Sequence, residues 1–392
     1  MKAKTMTRTW PIVLVSACWA GILGCGPTVE LKASSAGQSG DGGSGGSPSG
    51  AGGAGGTTTP GVGGGDGSGG GAPLAGTKYD APLGFYDVVW DTKRDRVFLS
   101  TGADGLVRVL DLKTSAWTNI KLGHRTEHMY FDAALDRVLV SVAEKDHSYT
   151  WFEADQSGYL GVINAATLEA DKLLHLPFDP WAIVSDGAGY AYISGASGQG
   201  THMLVVNLAT GTTVLAGAGM TMGTSLQLHP DKTHVYATTN GIQRFDLGGE
   251  TVHSPYPGNV GGDNHYVFGA LRIHPAGTTM YMGSGSVFLA TSSPDTDMTW
   301  SDTIGVFWRD LAFRPDGKLA YLVPDQNLGL MDGVYKPLLY SLDTTSFAIV
   351  ATHKLDAPAE RVLASDAGIL LVRRTLGGNP KTEVEIVTYG AL

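Results

Sequence analysis

Cysteine is almost absent from this chain. The 392 residues include two cysteines, Cys18 and Cys25, and both lie near the amino terminus. The rest of the chain therefore has no thiol for a disulfide, a cysteine-ligated zinc or a cysteine nucleophile. Its stability has to come from a hydrophobic core.

A membrane-spanning run and an excess of positive charge are also missing. The apolar stretch from Trp10 to Gly24 is shorter than the roughly 20 residues that a spanning helix needs. Acidic residues outnumber basic ones, 37 against 27. This balance argues against binding nucleic acid or an anionic lipid surface through bulk charge.

The amino terminus has the pattern of an export signal. Lys2, Lys4 and Arg8 give a basic start, and the apolar stretch that follows ends in Ile22-Leu23-Gly24-Cys25. These four residues resemble the bacterial lipobox, in which the cysteine is diacylated and becomes the first residue of the mature protein. The resemblance implies that residues 1–24 are a signal peptide and that Cys25 anchors the protein to a membrane.

Two alternatives to Cys25 remain. Cys18 also follows small residues, but cleavage there leaves an apolar region about half the usual length. Both cysteines could instead be ordinary residues of a cleaved secretory leader. Because Gly26, and not Asp, follows Cys25, the enteric-type sorting rule favours the outer membrane, with the domain in the periplasm or on the cell surface.

Residues 25–75 are predicted to form a flexible tether. From Ala36 to Gly76, 20 of 41 residues are glycine, and such a composition cannot bury enough apolar area to fold. Random-coil scaling gives the tether a reach on the order of 40 Å, so we expect the folded domain to stand clear of the membrane.

From residue 76 onward the chain repeats one plan seven times. Each segment has an apolar strand, a polar corner and a second strand with an aromatic or aliphatic centre. These centres are Phe98, Leu139, Tyr192, Tyr236, Tyr281, Tyr321 and Leu371. Spacings of 40 to 53 residues fit four-stranded propeller blades. We therefore predict an all-β fold over 76–392, a seven-bladed β-propeller whose last blade is completed by residues 76–80, with the recurring tyrosines in the interblade core.

A recurring turn ends the third strand of five segments. Its first residue is Asp or Asn, whose side chain can accept hydrogen bonds from backbone amides further along the turn. These residues are Asp111, Asn164, Asn207, Asp246 and Asp343. Together with the Pro-Asp corners, the turns resemble the YVTN-type propeller repeat over about 78–392, which implies the same fold.

The fifth segment has a different hairpin. Ser293 to Trp300 resembles the Asp-box of sialidase-like propellers, with Asp297 in the place of a glycine that adopts a left-handed conformation. The resemblance implies a folding role. We interpret Asp295 and Trp300 as a clasp between strands.

Three groupings resemble metal sites, but we assign no metal and no cofactor. The stretch from His124 to His128 matches an inverted zinc-protease motif that requires a helix, whereas this stretch runs into a predicted strand, where residues four apart lie roughly 13 Å apart. The other two are His253 with Asp263 and His265 in a glycine-rich loop, and Asp295 with Asp297 and Asp302, which lack the glycine and glutamate of a calcium loop.

The first residues of the seven inner strands are the best candidates for a ligand site, because they face the central channel. Polar residues concentrate on blades 1, 2, 6 and 7: Asp87, Glu127, His128, Arg309, Asp310, Glu360 and Arg361. If they bind a ligand, loss of Asp87 or His128 should abolish binding with little change in melting temperature. Alternatively, the last four pair with one another across adjacent blades, and the ligand binds the loops at 144–158 and 253–266.

These patterns favour a monomeric binding or protein-interaction module, displayed by its lipid, with an unknown protein or small molecule as ligand and no nucleic acid. The alternative is a propeller enzyme of lactonase or lyase type, because the seven-bladed propellers that this chain resembles include enzymes of both kinds. A tight cluster of carboxylates and histidines in the channel would favour the enzyme. A channel whose charged side chains pair with one another would favour the binding module.

Overall fold

The computed structural model describes residues 73–81, 84–150, 155–198, 200–238, 241–254, 265–325, 336–374 and 382–392. The predicted leader, Cys18, Cys25 and nearly all of the predicted tether lie outside these residues. Within the described residues, no helix is long and apolar enough to cross a membrane.

The described residues form seven antiparallel sheets of four strands each, arranged as a seven-bladed ring. Blade 1 comprises β2 (Asp87–Asp91), β3 (Arg96–Ser100), β4 (Leu106–Asp111) and β5 (Ala116–Lys121). Blade 2 comprises β6 (Arg125–Asp132), β7 (Arg137–Ala143), β8 (Gly158–Asn164) and β9 (Ala170–Leu176). Blade 3 comprises β10 (Pro180–Ser185), β11 (Tyr190–Gly195), β12 (Thr201–Asn207) and β13 (Thr213–Met220).

The remaining four blades follow the same order, except that the last takes its outermost strand from the amino-terminal side. Blade 4 comprises β14 (Ser225–Leu228), β15 (His234–Thr238), β16 (Ile242–Gly248) and β17 (Thr251–His253). Blade 5 comprises β18 (Leu271–Ile273), β19 (Thr279–Met282), β20 (Ser286–Leu289) and β21 (Trp300–Thr303). Blade 6 comprises β22 (Trp308–Phe313), β23 (Leu319–Pro324), β24 (Leu338–Asp343) and β25 (Ile349–Lys354). Blade 7 comprises β26 (Ala359–Ala364), β27 (Gly368–Arg374), β28 (Thr382–Thr388) and β1 (Thr77–Ala81).

Strand β1 closes the ring, as the sequence predicts. It pairs antiparallel with β28, so the last blade has the same four strands as the others and the ring has no open seam. The Gly76 amide donates to Glu385 Oε1 (2.8 Å), and the fully buried Arg373 forms an ion pair with the same glutamate. A buried charge pair thus supports the closing strand.

The hydrophobic core lies between the blades. Tyr192, Tyr236 and Tyr281 are fully buried, and their hydroxyl groups donate to acceptors in the next blade. This confirms their predicted place in the interblade core. In blade 7 the strand register puts Leu370, and not Leu371, at the equivalent position, because Leu363 pairs with Leu370.

The predicted Asx turns form at four of the five positions. Asp111, Asn164, Asn207 and Asp343 each accept hydrogen bonds from the amides two and three residues further on. Asp246 instead accepts from Arg244 Nε (2.7 Å).

The Asp-box interpretation was wrong in its details. Asp297, and not Asp295, is the clasp: its buried carboxylate accepts from the Thr291 amide (2.9 Å) and from the Tyr236 hydroxyl (2.7 Å). Asp295 is exposed, and the left-handed residue is Met298, with φ of 58°.

Candidate functional site at the channel mouth

The two ends of the propeller differ in the length of their connections. At the end where each inner strand begins, here called the mouth face, long connections join β7 to β8, β17 to β18 and β23 to β24. Most turns at the opposite end are tight. Binding residues concentrate in long connections on a rigid scaffold. A binding site is therefore expected on the mouth face.

A β-bulge lies at the start of the inner strand in blades 2, 3, 6 and 7. In blade 2 it falls between Thr126 and Met129, and Thr126 and the adjacent Glu127 are both buried. A bulge breaks the alternation of side chains and re-aims them. Consecutive residues of blade 2 can therefore face the interior.

Asp87 and Asp310 occupy equivalent positions, as predicted, and make the same bond. Asp87 Oδ2 accepts from the Met129 amide (2.9 Å), and Asp310 Oδ2 accepts from the Val362 amide (3.0 Å). Each bond joins the inner strand of one blade to that of the next. Both aspartates therefore serve the fold, and from this bond we expect loss of Asp87 to lower the melting temperature.

Two of the polar residues predicted to pair within blades 6 and 7 have ion-pair partners in other blades. Asp310 forms its ion pair with Arg272 of blade 5 (2.5 Å), and Arg361 lies 3.9 Å from Asp87 of blade 1. Arg309 and Glu360 also have interaction partners.

A buried histidine on the mouth face, His147, lies in the connection between β7 and β8. Its Nε2 lies 2.8 Å from Glu127 Oε2 on β6, and its Nδ1 lies 2.6 Å from Asp179 Oδ2, just before β10. Desolvation alone would lower the pKa of His147. The hydrogen bonds and charges of the two carboxylates outweigh that effect and raise the pKa to about 9. The imidazole is therefore a cation at neutral pH.

Blade 3 holds the same connection through Ser197. The Ser197 hydroxyl donates to Asp179 Oδ2 (2.5 Å) and accepts from the Ser148 amide (2.9 Å). The Gln156 side chain donates to the Ser197 carbonyl (3.4 Å). Both ends of this connection are thus fixed to the neighbouring blade.

The charges of the cluster balance one another. Arg125 Nε lies 2.7 Å from Glu127 Oε1. With Arg361 beside Asp87 and His147 beside Asp179, three carboxylates face three cations. A fourth carboxylate, Asp146 beside Arg125, is exposed, so solvent and salt screen its charge. The site has no strong preference for a ligand of either charge.

Three half-buried rings cover this cluster. The His128 ring lies edge-on to Trp181, with centroids 4.4 Å apart, and to Tyr86, at 5.2 Å. Burial, together with the charge of Glu127, raises the pKa of the Tyr86 hydroxyl, so it stays protonated. Among the described residues, three buried atoms of the cluster have no hydrogen-bond partner: Arg125 Nε, which lies in the ion pair with Glu127, and His128 Nε2 and Asp179 Oδ1. Such atoms can bind polar groups of a ligand or water.

The sequence pattern indicated only part of this cluster. Glu127, His128 and Asp87 were predicted, whereas His147, Asp179 and Ser197 were missed. The loop at 144–158 had been named as the alternative binding region, and the structure brings its histidine onto the predicted channel residues. The feature of the sequence that could have indicated His147 was a histidine in an unusually long connection between two strands.

The other groupings do not join this site. Glu127 and His128 lie on β6, so the stretch from His124 to His128 runs into a strand as expected, and His124 stacks on Tyr159 (4.9 Å). His265 stacks on Trp300 (4.1 Å), and Asp263 lies outside the described residues.

Comparison with solved structures supports the fold alone. The chain is similar to the Cps50 (Swd1) β-propeller domain of Myceliophteria thermophila, with a TM-score of 0.55 and 12% identity over 80% of this chain and 100% of that one. It is also similar to hydrazine synthase of Kuenenia stuttgartiensis, with a TM-score of 0.52 and 14% identity over 77% of this chain and 96% of that one. No family model and no curated protein matches the chain.

Proposed function

We propose that the protein is a lipid-anchored binding module, displayed in the cell envelope, whose ligand binds the cluster at the channel mouth. The observation that carries this proposal is the pair of buried atoms without hydrogen-bond partners, His128 Nε2 and Asp179 Oδ1, in the cluster on which the half-buried ring of Trp181 packs. A propeller fold is compatible with a protein-interaction module. The balanced charges favour an uncharged or zwitterionic ligand group.

The cluster has the carboxylates and histidines that would favour an enzyme, but binding is favoured over catalysis because these carboxylates are already engaged. Glu127 and Asp179 pair with His147, and Asp87 accepts a backbone amide. With its pKa raised to about 9, His147 cannot accept a proton at neutral pH. A lactonase or lyase reaction would have to depend on His128, so this alternative has less support.

The test of the site is capture of a partner from an envelope extract with the soluble domain from Gly76 onward. Trp181→Ala and His128→Gln should each reduce capture at least tenfold while thermal unfolding changes little. Trp300→Ala is the matched control, because Trp300 is a partly exposed tryptophan in the outermost strand of blade 5. Equal loss of capture in Trp181→Ala and Trp300→Ala would place the ligand elsewhere.

The anchor is a separate part of the proposal, carried by the resemblance of Ile22 to Cys25 to a lipobox. Cys25→Ala should release the exported protein from the membrane fraction. Cys18→Ala is the control and should leave fractionation unchanged. The reverse result would move the lipidation site to Cys18.

A further inference from the structure

Two corners at the end opposite the mouth begin with the same residue pair, His-Pro. His229 Nε2 donates to the Gly277 carbonyl of blade 5 (2.8 Å), and His274 Nε2 donates to the Gly317 carbonyl of blade 6 (2.9 Å). Each histidine also accepts, at Nδ1, the amide of the residue two places on. Both corner histidines thus hold one blade to the next.

The corner of blade 4 has two further groups that the corner of blade 5 lacks. Asp231 Oδ1 lies 2.9 Å from His229 Nδ1 and 3.4 Å from His234 Nδ1. A carbonyl can only accept, so Nε2 of His229 carries its proton. The single lone pair of its Nδ1 accepts the Asp231 amide at 3.3 Å, and a metal ion would replace this long contact. A carboxylate oxygen and a nitrogen lone pair this close repel each other unless a cation, a proton or a metal ion, lies between them.

We propose that His229, Asp231 and His234 bind a divalent transition-metal ion, with Zn²⁺ as the probe. Two imidazoles and one carboxylate are a common zinc ligand set, and bonds of about 2.0–2.2 Å put tetrahedral ligands about 3.3 Å apart. The distances of 2.9 and 3.4 Å between ligand atoms are close to that value. The Gly277 carbonyl already orients the His229 ring, as outer partners of metal-bound histidines do.

One side chain has to turn when the ion binds. The His229 and His234 rings are stacked with centroids 4.1 Å apart, so their in-plane lone pairs do not yet converge. His234 Nε2 is buried and has no hydrogen-bond partner among the described residues. Rotation of this ring breaks no bond at Nε2, and at Nδ1 the metal replaces the contact with the Thr233 hydroxyl (3.0 Å).

A second group of acidic residues differs from this site because basic side chains already pair with it. Asp356, Glu383 and Glu385 also lie close together. Arg373 and Lys78 form ion pairs with them, so the cations of the chain already occupy that position.

The test is calorimetric titration of the full chain, purified without a histidine tag and treated with chelator, with ZnCl₂ at pH 7.5. We expect one site, with affinity reduced at least tenfold in Asp231→Ala. This variant should fold because Asp231 is exposed, which circular dichroism will verify. Asp316→Ala is the matched control, since Asp316 follows Arg-Pro in the blade 6 corner, and it should bind as the unaltered protein does. Absence of binding, or equal affinity in the two variants, would overturn the proposal.

A graft tests whether these three residues suffice. Ala276→Asp with Thr279→His places the two missing ligands beside His274, in the same corner geometry. The stoichiometry should rise from one Zn²⁺ per chain to two, while thermal unfolding confirms that the variant folds. A stoichiometry that stays at one would contradict the assignment of these ligands.

Discussion

The junction of blades 1 and 2 and the junction of blades 6 and 7 are joined by the same hydrogen bond but have different surroundings. In each, an aspartate at the start of one inner strand accepts an amide of the next. Around Asp310 the charged partner is Arg272. Around Asp87 lie His128, Arg361 and the ring of Tyr86.

This difference separates the hydrogen bond that the two junctions share from the side-chain contacts found at only one of them. The hydrogen bond joins inner strands at both of these junctions, so it gives no information on the ligand. The residues that differ between equivalent junctions are those free to specialise. Glu127 and Glu360 are such a pair: the first is buried in the ionic cluster, and the second is half-buried.

The largest expected effect comes from Glu127→Ala. This change leaves His147 and Arg125 with one carboxylate fewer in a buried site, and removing one partner of a buried ion pair costs about 3–5 kcal/mol. The free energy of unfolding, measured with denaturant, should fall by that amount. Glu360→Ala, at the equivalent position of blade 7, should cost about 1 kcal/mol or less, because its side chain is half-exposed. Equal losses would mean that the two junctions are energetically alike.

The second effect is a pH dependence specific to the first junction. The folded-state pKa of His147 is about 9, above an unfolded value of about 6.5. Its contribution to stability is therefore fully present below about pH 6.5 and is lost as the pH rises through 9, a change of about 3 kcal/mol. The other histidines with shifted values, His234 and His353, have their pKa lowered by burial and are already neutral in this window.

The measurement is the free energy of unfolding at pH 6.5 and at pH 9.5. The matched variant is His147→Gln, which should be less stable than the unaltered protein at pH 6.5 and should lose most of the pH dependence. If the unaltered protein and the variant have the same pH profile, the imidazole is not charged in the folded state.

The fold could be predicted from the sequence because its signals are local. A strand is indicated by alternating apolar and polar residues, and a corner by a Pro-Asp pair. An Asx turn is indicated by one Asp or Asn at the end of a strand. The closing strand followed from counting strands. Leu371 was placed one residue off because the corner of blade 7 is shorter than the others: the Ser365 amide donates to the Gly368 carbonyl, three residues on, and the uniform apolar run that follows does not reveal the difference.

The site could be predicted only where it follows the repeat. Alignment of the inner strands brought Asp87, Glu127 and Arg361 to the channel, but not His147 or Asp179. His147 reaches Asp179 through a connection whose path depends on blade 3, and no local pattern gives that path. Asp87 looked available for a ligand because its acceptor role involves a backbone amide, which has no signature in the sequence.

The smallest expected effect tests the bond that the two junctions share. Asp87→Ala and Asp310→Ala each remove an acceptor from an inner-strand amide, and a buried donor without a partner costs about 1–3 kcal/mol. The two losses should be similar, because the bonds differ by 0.1 Å, 2.9 against 3.0 Å. Ligand capture should distinguish them, since only Asp87 also adjoins His128 (3.7 Å). Capture should fall in Asp87→Ala and persist in Asp310→Ala. If both variants keep full capture at equal cost in stability, the shared aspartate serves the fold in both junctions and the ligand does not depend on it.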